Sequence, residues 1–144
     1  MTTTTKPNTA FWTIAVLALL WNIIGVFLWA SNSFLMTEET MAAFTPEQQQ
    51  LMDSTPSWNT AVYGFATISA LLACVCLLMR KKLAVALFGL SLIAVLIIQL
   101  YWVFIMDSVT LMGPQSIIVP LIVIAIAIFE YFYSKGAAQR GWIV

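Results

Sequence analysis

The sequence predicts an all-α integral membrane protein in which four transmembrane helices form an antiparallel, up-and-down bundle. Of its 144 residues, 62% are hydrophobic and only 8% are charged, a composition far from that of soluble domains. Four apolar runs each approach the ~20 residues that a helix needs to span a bilayer. Half of the basic residues form one triplet, Arg80-Lys81-Lys82, between the second and third runs. These observations predict a single transmembrane domain over residues 1–144.

The first crossing is predicted at about residues 10–31. This run is longer than the apolar core of a cleaved signal peptide, which spans about 7–15 residues, so a membrane helix is favoured. Trp12 and Trp29 fall near its ends, where amphipathic rings favour the headgroup level. Trp21 and Asn22 fall near its middle, which makes this pair the exception within the run.

A polar, acidic loop is predicted at residues 32–57. It contains four carboxylates and no Lys or Arg: Glu38, Glu39, Glu47 and Asp53. Thr45-Pro46-Glu47-Gln48 combines an N-cap residue, a proline at the first helical position and a glutamine three residues after the cap. A short helix from Pro46 to about Asp53 is therefore predicted, and Thr37 is placed to cap an earlier turn. Two interpretations stay open: an amphipathic segment that lies on the outer surface or covers the bundle, or a solvated loop with two helical turns.

The remaining crossings are predicted at about 58–79, 83–106 and 115–134. Short connections between them imply that consecutive helices are antiparallel neighbours. Membrane helices pack closely where small residues let the backbones approach, and candidates occur in every run. These candidates are Gly25, Ala66, Ala70, Gly89 and Ala127.

The distribution of charge predicts the orientation in the membrane. Lys and Arg in short loops mark the cytoplasmic side, so the triplet at 80–82 is predicted to lie there. Four crossings then place both termini in the cytoplasm, together with Lys6, Lys135 and Arg140. The acidic loop and Asp107 are predicted to lie outside.

Composition also excludes several classes of function. The chain has no histidine, and Cys74 and Cys76 are two residues apart, on different faces of a helix. They therefore predict neither an internal disulfide nor a shared metal site. No catalytic residues, metal or cofactor are predicted, and the chain is not expected to be an enzyme. The absence of a basic tract outside the triplet argues against a nucleic-acid partner.

Polar residues inside the apolar runs are the best candidates for a ligand site, because each needs a partner there. Asn22 is expected near the midplane, and Tyr63, Gln99 and Pro120 about 7 Å towards the outer face, counted at about 1.5 Å per residue. Proline also frees a helical carbonyl at that depth, and aromatic rings supply walls. The predicted ligand-binding set is Trp21, Asn22, Tyr63, Gln99, Trp102 and Pro120. The alternative is that Asn22 and Gln99 hydrogen-bond each other or a backbone carbonyl and only hold the bundle in register.

Glu130 is the one acid predicted on the cytoplasmic side. It is placed about one turn before the end of the predicted fourth helix, at the membrane level where Arg80 and Lys81 end the second. An ion pair of Glu130 with Arg80 or Lys81 is therefore predicted. The alternative is a carboxylate that couples transport to protons.

Several local motifs together resemble a group of small bacterial inner-membrane proteins that have four predicted helices and are labelled sugar transporters. The resemblance lies in the following segments: Trp21-Asn22, Pro56-Ser57-Trp58, Leu77-Leu78-Met79-Arg80-Lys81-Lys82 and Gly141-Trp142. It implies a four-helix protein of the bacterial inner membrane and assigns no functional site to any residue. The small multidrug carriers differ, because their first helix carries an acid that is missing here.

Two functions follow as hypotheses. The first is a transporter or binder of a small polar ligand, such as a sugar or a quinone headgroup, that acts as an oligomer. The second is an accessory or scaffolding subunit of a larger membrane complex, whose outer segment covers its partner. In both, the lipid bilayer surrounds the helices, and either a homo-oligomer or a larger complex is the expected assembly.

Overall fold

The computed structural model describes residues 6–144 as a chain of helices. Their bounds are α1 Thr9–Phe34, α2 Glu38–Ala42, α3 Pro46–Ser54, α4 Ser57–Leu78, α5 Leu83–Leu100, α6 Ser108–Met112 and α7 Ile118–Gln139. A π-helical turn, Tyr101–Ile105, extends α5, and a 3₁₀ turn, Pro114–Ile117, leads into α7. Within this range, α1, α4, α5 and α7 are each long and apolar enough to span a membrane. The prediction of an all-helical chain with four long apolar helices is confirmed.

The fourth long helix ends later than predicted. It was expected to stop at residue 134, where the apolar run ends, but α7 continues to Gln139. Gly141 has a φ of 76°, and the N–H groups of Gly141 and Trp142 donate to the carbonyls of Ala138 and Ala137 at 3.1 and 2.9 Å. Glycine tolerates this left-handed conformation, which closes a helix with a pair of reversed hydrogen bonds. The end of α7 is therefore set by Gly141 and not by the limit of the apolar run.

The two short helices predicted in the acidic loop are confirmed. Thr45 caps α3 by accepting from the Gln48 N–H at 3.2 Å, while the Thr45 N–H donates to the Gln48 side chain at 3.0 Å. Thr37 caps α2 in a similar way. Leu51 of α3 is only 3% exposed, and α3 packs against α6. This packing favours the interpretation in which the segment covers the bundle over that of a solvated loop.

The long helices pack in the order α1, α4, α5, α7, with α4 against both α1 and α5, and α5 against α7. Small residues bring α4 close to its neighbours. Ala66 is buried, and its carbonyl accepts from the Ser91 hydroxyl at 2.8 Å. The indole N–H of Trp29 donates to the Thr60 carbonyl at 3.0 Å, and the ring covers Gly64, where a Cβ would overlap it. The α1–α4 interface therefore depends on the missing side chain at Gly64.

The last three residues fold back onto the loop between α4 and α5. Lys82 and Val144 are joined by a backbone hydrogen bond of 3.0 Å, and the Val144 N–H donates to the Arg80 carbonyl at the same distance. The Arg80 Nε donates to the Trp142 carbonyl at 2.8 Å. Ile143, between them, is 1% exposed. No prediction covered this tail, which closes one end of the bundle.

Charged side chains of opposite sign lie at opposite ends of the bundle. Basic side chains gather where the α4–α5 loop and residues 142–144 meet, and this is called the basic end. The acidic loop and Asp107 lie at the opposite end, called the acidic end. Glu130 is the carboxylate outside this pattern, since it lies within α7.

Candidate functional site

A hydrogen-bonded contact between Asn22 and Glu130 lies inside the bundle. The Asn22 Nδ2 donates to Glu130 Oε1 at 3.1 Å and to Oε2 at 3.2 Å. The same Nδ2 lies 2.8 Å from the Ala18 carbonyl and 3.3 Å from the Cys74 Sγ. Asn22 and Glu130 are each 7% exposed. The contact thus joins the polar centre of α1 to α7 and α4 within apolar surroundings.

The position of Glu130 differs from the one predicted because α7 is longer than expected. Glu130 lies more than two turns before Gln139, not one turn before the helix end. The face of α7 that carries its carboxylate is turned towards Asn22 in the interior, where a partner from the basic end does not contact it. Arg80 lies in the loop at that end and bonds Trp142, and Lys81 is exposed. The predicted ion pair is replaced by the Asn22–Glu130 contact.

Next to this contact is a cavity of about 220 Å³, here called the cleft, which is lined by all four long helices. Four of the six predicted ligand-binding residues line it: Trp21, Asn22, Tyr63 and Gln99. Glu130 lines it as well. The structure therefore brings most of the predicted set together, and ligand binding by these residues stays a prediction.

Trp102 and Pro120 do not line the cleft. Trp102 lies three residues after Gln99, a spacing that shares one face of an α-helix, but the wider π-helical turn that begins at Tyr101 changes the rotation. Trp102 instead lines a smaller depression beside Leu51 of α3. Pro120 is buried, and its neighbour Val119 is the one that lines the cleft.

The cleft opens sideways, between α1 and α7. These two helices stand at the ends of the packing order, and both contribute exposed side chains to its lining. Ile24, Leu28 and Val119 are 54%, 49% and 67% exposed. Nearer the basic end, the ring of Phe11 stacks on Tyr133 with 6.4 Å between centroids and brings the helices together. A ligand would thus reach the Asn22–Glu130 contact through the flank of the bundle.

The polar groups of the cleft differ in their availability. The Ser91 and Thr67 hydroxyls are engaged with backbone carbonyls of α4, at 2.8 and 3.0 Å. Across residues 6–144, the structure shows no hydrogen bond from the Tyr63 hydroxyl or the Gln99 carboxamide. A carboxylate offers about four lone-pair positions, and Glu130 meets one described donor, Asn22. The cleft therefore has spare hydrogen-bonding capacity at Glu130, Tyr63 and Gln99.

Sequence reasoning missed the roles of Glu130 and Cys74, although one signal was present. Ala127 was predicted to face a neighbouring helix, and Glu130 follows it at the i+3 spacing that shares a helix face. That spacing already placed the carboxylate towards the interior. Cys74 carried no such signal, because a cysteine in an apolar run has no preferred partner. Its contact with Asn22 depends on how α1 and α4 pack.

Together, the fold and the cleft define a class: a small all-helical chain with four candidate membrane spans and a buried amide–carboxylate contact at an internal cavity. No protein-family model, curated protein or solved structure matches the chain. Among residues 6–144, no group of three or more His, Cys, Asp or Glu side chains is placed to hold a metal ion.

Proposed function

We propose that the chain is a multi-pass inner-membrane protein that binds a small amphipathic molecule in the cleft. The observation that carries this proposal is the Asn22–Glu130 contact at a largely apolar cavity that opens on the flank of the bundle. Ionisable residues inside membrane spans are costly and commonly mark a site of function. A cleft that opens sideways in a membrane takes its ligand from the lipid phase.

The chemistry of the lining favours an amine-type ligand. The walls include Ile24, Val95 and Val123, which suit an apolar body, while Glu130 is an acceptor that suits a donor or a cation. A sugar carries hydroxyls on every side, and each one left without a partner against apolar walls costs about 1–3 kcal/mol. The predicted sugar ligand is therefore less well supported than a small molecule with one donating end.

The size of the cavity limits the ligand further. Its volume is about 220 Å³. A cavity of roughly 150 Å³ lined by apolar residues holds one benzene molecule. A single ring with a short amino substituent is the matching size.

Carrier activity would require more than one copy of the chain. Transport needs a site that opens alternately to two sides, and a single four-helix bundle with one lateral opening supplies a binding site only. The alternative function, an accessory subunit whose outer segment covers a partner, gains no support from α3, because Leu51 covers the chain's own bundle. Ligand binding is therefore the better-supported proposal.

Benzylamine and benzyl alcohol test the cleft, because they share a ring and differ in charge. We expect purified protein in detergent micelles to bind benzylamine more tightly, measured by isothermal titration calorimetry against empty micelles. Glu130→Gln should weaken the binding of benzylamine by about tenfold, since hydrogen bonds to charged groups contribute about 1.5–3 kcal/mol. The same substitution should leave the affinity for benzyl alcohol almost unchanged, because glutamine keeps the shape of the glutamate side chain and can still accept a hydrogen bond from Asn22.

Two further variants control this measurement. Glu39→Gln removes an exposed carboxylate of α2 and should leave both affinities unchanged. Gly25→Leu adds a side chain at a position that lines the cleft and should abolish binding of both probes. Equal benzylamine affinity of the unmodified protein and Glu130→Gln would contradict the proposal.

The orientation of the bundle is part of the same proposal: the basic end and both termini face the cytoplasm. Cysteine introduced at Glu47, which is exposed at the acidic end, should react with a membrane-impermeant maleimide in intact cells. Cysteine introduced at Lys81 should react only after the cells are ruptured. The unsubstituted chain gives the background of Cys74 and Cys76. The reverse labelling pattern would show that the orientation is inverted.

A further inference from the structure

A second, larger groove lies on the surface of the bundle where α5 meets α7, towards the basic end. Its volume is about 1030 Å³, and it shares no lining residue with the cleft. On α5 it runs from Lys82 past Ala86 and Gly89 to Ile93, and on α7 it includes Tyr131 and Lys135. It is therefore a separate surface, with lysines at one end and apolar side chains along the rest.

Small residues create this groove. Gly89 has no side chain, and the Tyr131 ring lies where it would be 3.3 Å from an added Cβ. Ala86 on α5 and Ala138 on α7 are also small and line the same surface. Beyond them, Ile93 is 58% exposed and Leu90 is 48% exposed, so the groove is open to the surroundings along its length.

The charged end of the groove is formed by two lysines. Lys82 and Lys135 are both exposed, and no ion pair engages either ammonium group among the residues that the structure describes. The acidic loop lies at the other end of the bundle, and Glu130 faces Asn22. Two ammonium groups that line the same groove favour an anion, and lysine is well suited to phosphate as a point charge.

The length of the groove matches one leaflet of a bilayer. From Lys82 to Ile93 the α5 axis rises by roughly 16 Å, at about 1.5 Å per residue. The hydrocarbon core of a bilayer is about 30 Å thick, so one leaflet is roughly half of that. With the lysines at headgroup level, the apolar part of the groove extends to about the midplane.

We infer that this groove binds one anionic phospholipid, with its phosphate at Lys82 and Lys135 and an acyl chain along Ala86, Gly89 and Ile93. Basic pockets between membrane helices are known to hold anionic headgroups. The positive charge at one end of the groove, its apolar lining and its length of about one leaflet all fit an anionic phospholipid. A free anion would use only the lysines, and a zwitterionic lipid would use only the apolar part.

Native mass spectrometry of the purified chain tests this inference, with equal amounts of phosphatidylglycerol and phosphatidylcholine in the micelles. We expect phosphatidylglycerol adducts to predominate. Lys82→Gln/Lys135→Gln should reduce that preference by about fivefold for each lysine, the effect of one cation near an anionic membrane surface. Lys6→Gln/Lys81→Gln has the same net charge and should retain the preference, since both lysines are exposed and lie outside the groove.

Two more measurements separate the competing occupants. Ala86→Phe fills the apolar part of the groove and should reduce retention of phosphatidylglycerol while both lysines stay in place. Excess inorganic phosphate should fail to displace the lipid. The inference is overturned if phosphate displaces it fully, if the two lipids bind equally, or if the control pair loses as much preference as the groove pair.

Discussion

Replacing Asn22 with leucine is expected to lower the free energy of unfolding by about 2 kcal/mol. The substitution removes the described donor to Glu130 and leaves a carboxylate in an apolar interior, where an unsatisfied polar group costs about 1–3 kcal/mol and a charged one more. Titration with sodium dodecyl sulfate, followed by helical circular dichroism, measures the change. The effect should greatly exceed that of Asn32→Leu, which changes an exposed asparagine near the end of α1.

The double variant Asn22→Leu/Glu130→Leu separates a coupled pair from two independent residues. When both partners of a buried polar contact become apolar, the loss is expected to be small or absent. The double variant should therefore regain most of the free energy of unfolding that Asn22→Leu loses. If the loss in the double variant instead equals the sum of the losses in Asn22→Leu and Glu130→Leu, the two residues do not depend on each other.

Replacing Ile143 with alanine is expected to lower the free energy of unfolding by about 3 kcal/mol. Ile143 is 1% exposed and belongs to a buried cluster with Phe11, Leu77 and Ala137. Truncating a buried isoleucine to alanine costs about 2–5 kcal/mol, because transfer free energy is lost and a cavity remains. The same detergent titration provides the measurement.

Val144→Ala is the matched control for the tail. The Val144 side chain is 49% exposed, and this residue is held through its backbone bonds to Arg80 and Lys82, which alanine also makes. A change within about 0.5 kcal/mol is expected. Equally small losses from the two substitutions would show that residues 142–144 contribute through the backbone and not through the buried isoleucine.

The helices themselves were largely predictable because their signals are local. An apolar run predicts a span by its length, and the capping pattern at Thr45 and Gln48 predicts a helix start by its spacing. Both signals depend on neighbours within a few residues. The end of α7 was placed too early because the apolar run stops near residue 134, whereas the helix continues to the glycine that reverses the chain.

The candidate site was predicted in part. Asn22, Tyr63 and Gln99 were grouped by depth alone, and depth follows from counting residues along each helix. Which side of a helix faces the cleft depends on rotation, and the π-helical turn after α5 turned Trp102 away. The error in the length of α7 placed Glu130 near the helix end, and the predicted ion pair did not take into account that its side of α7 faces the interior.

The sequence by itself determined that this protein is all-helical, where its four long apolar helices begin, and which residues cap the short ones. These properties follow from the composition and spacing of residues that are neighbours in the chain. Only the tertiary structure decided that Glu130 meets Asn22, that the cleft opens between α1 and α7, and that Ile143 closes the basic end. Each of these contacts joins residues far apart in sequence, so it depends on the rotation and packing of whole helices, which no local pattern records.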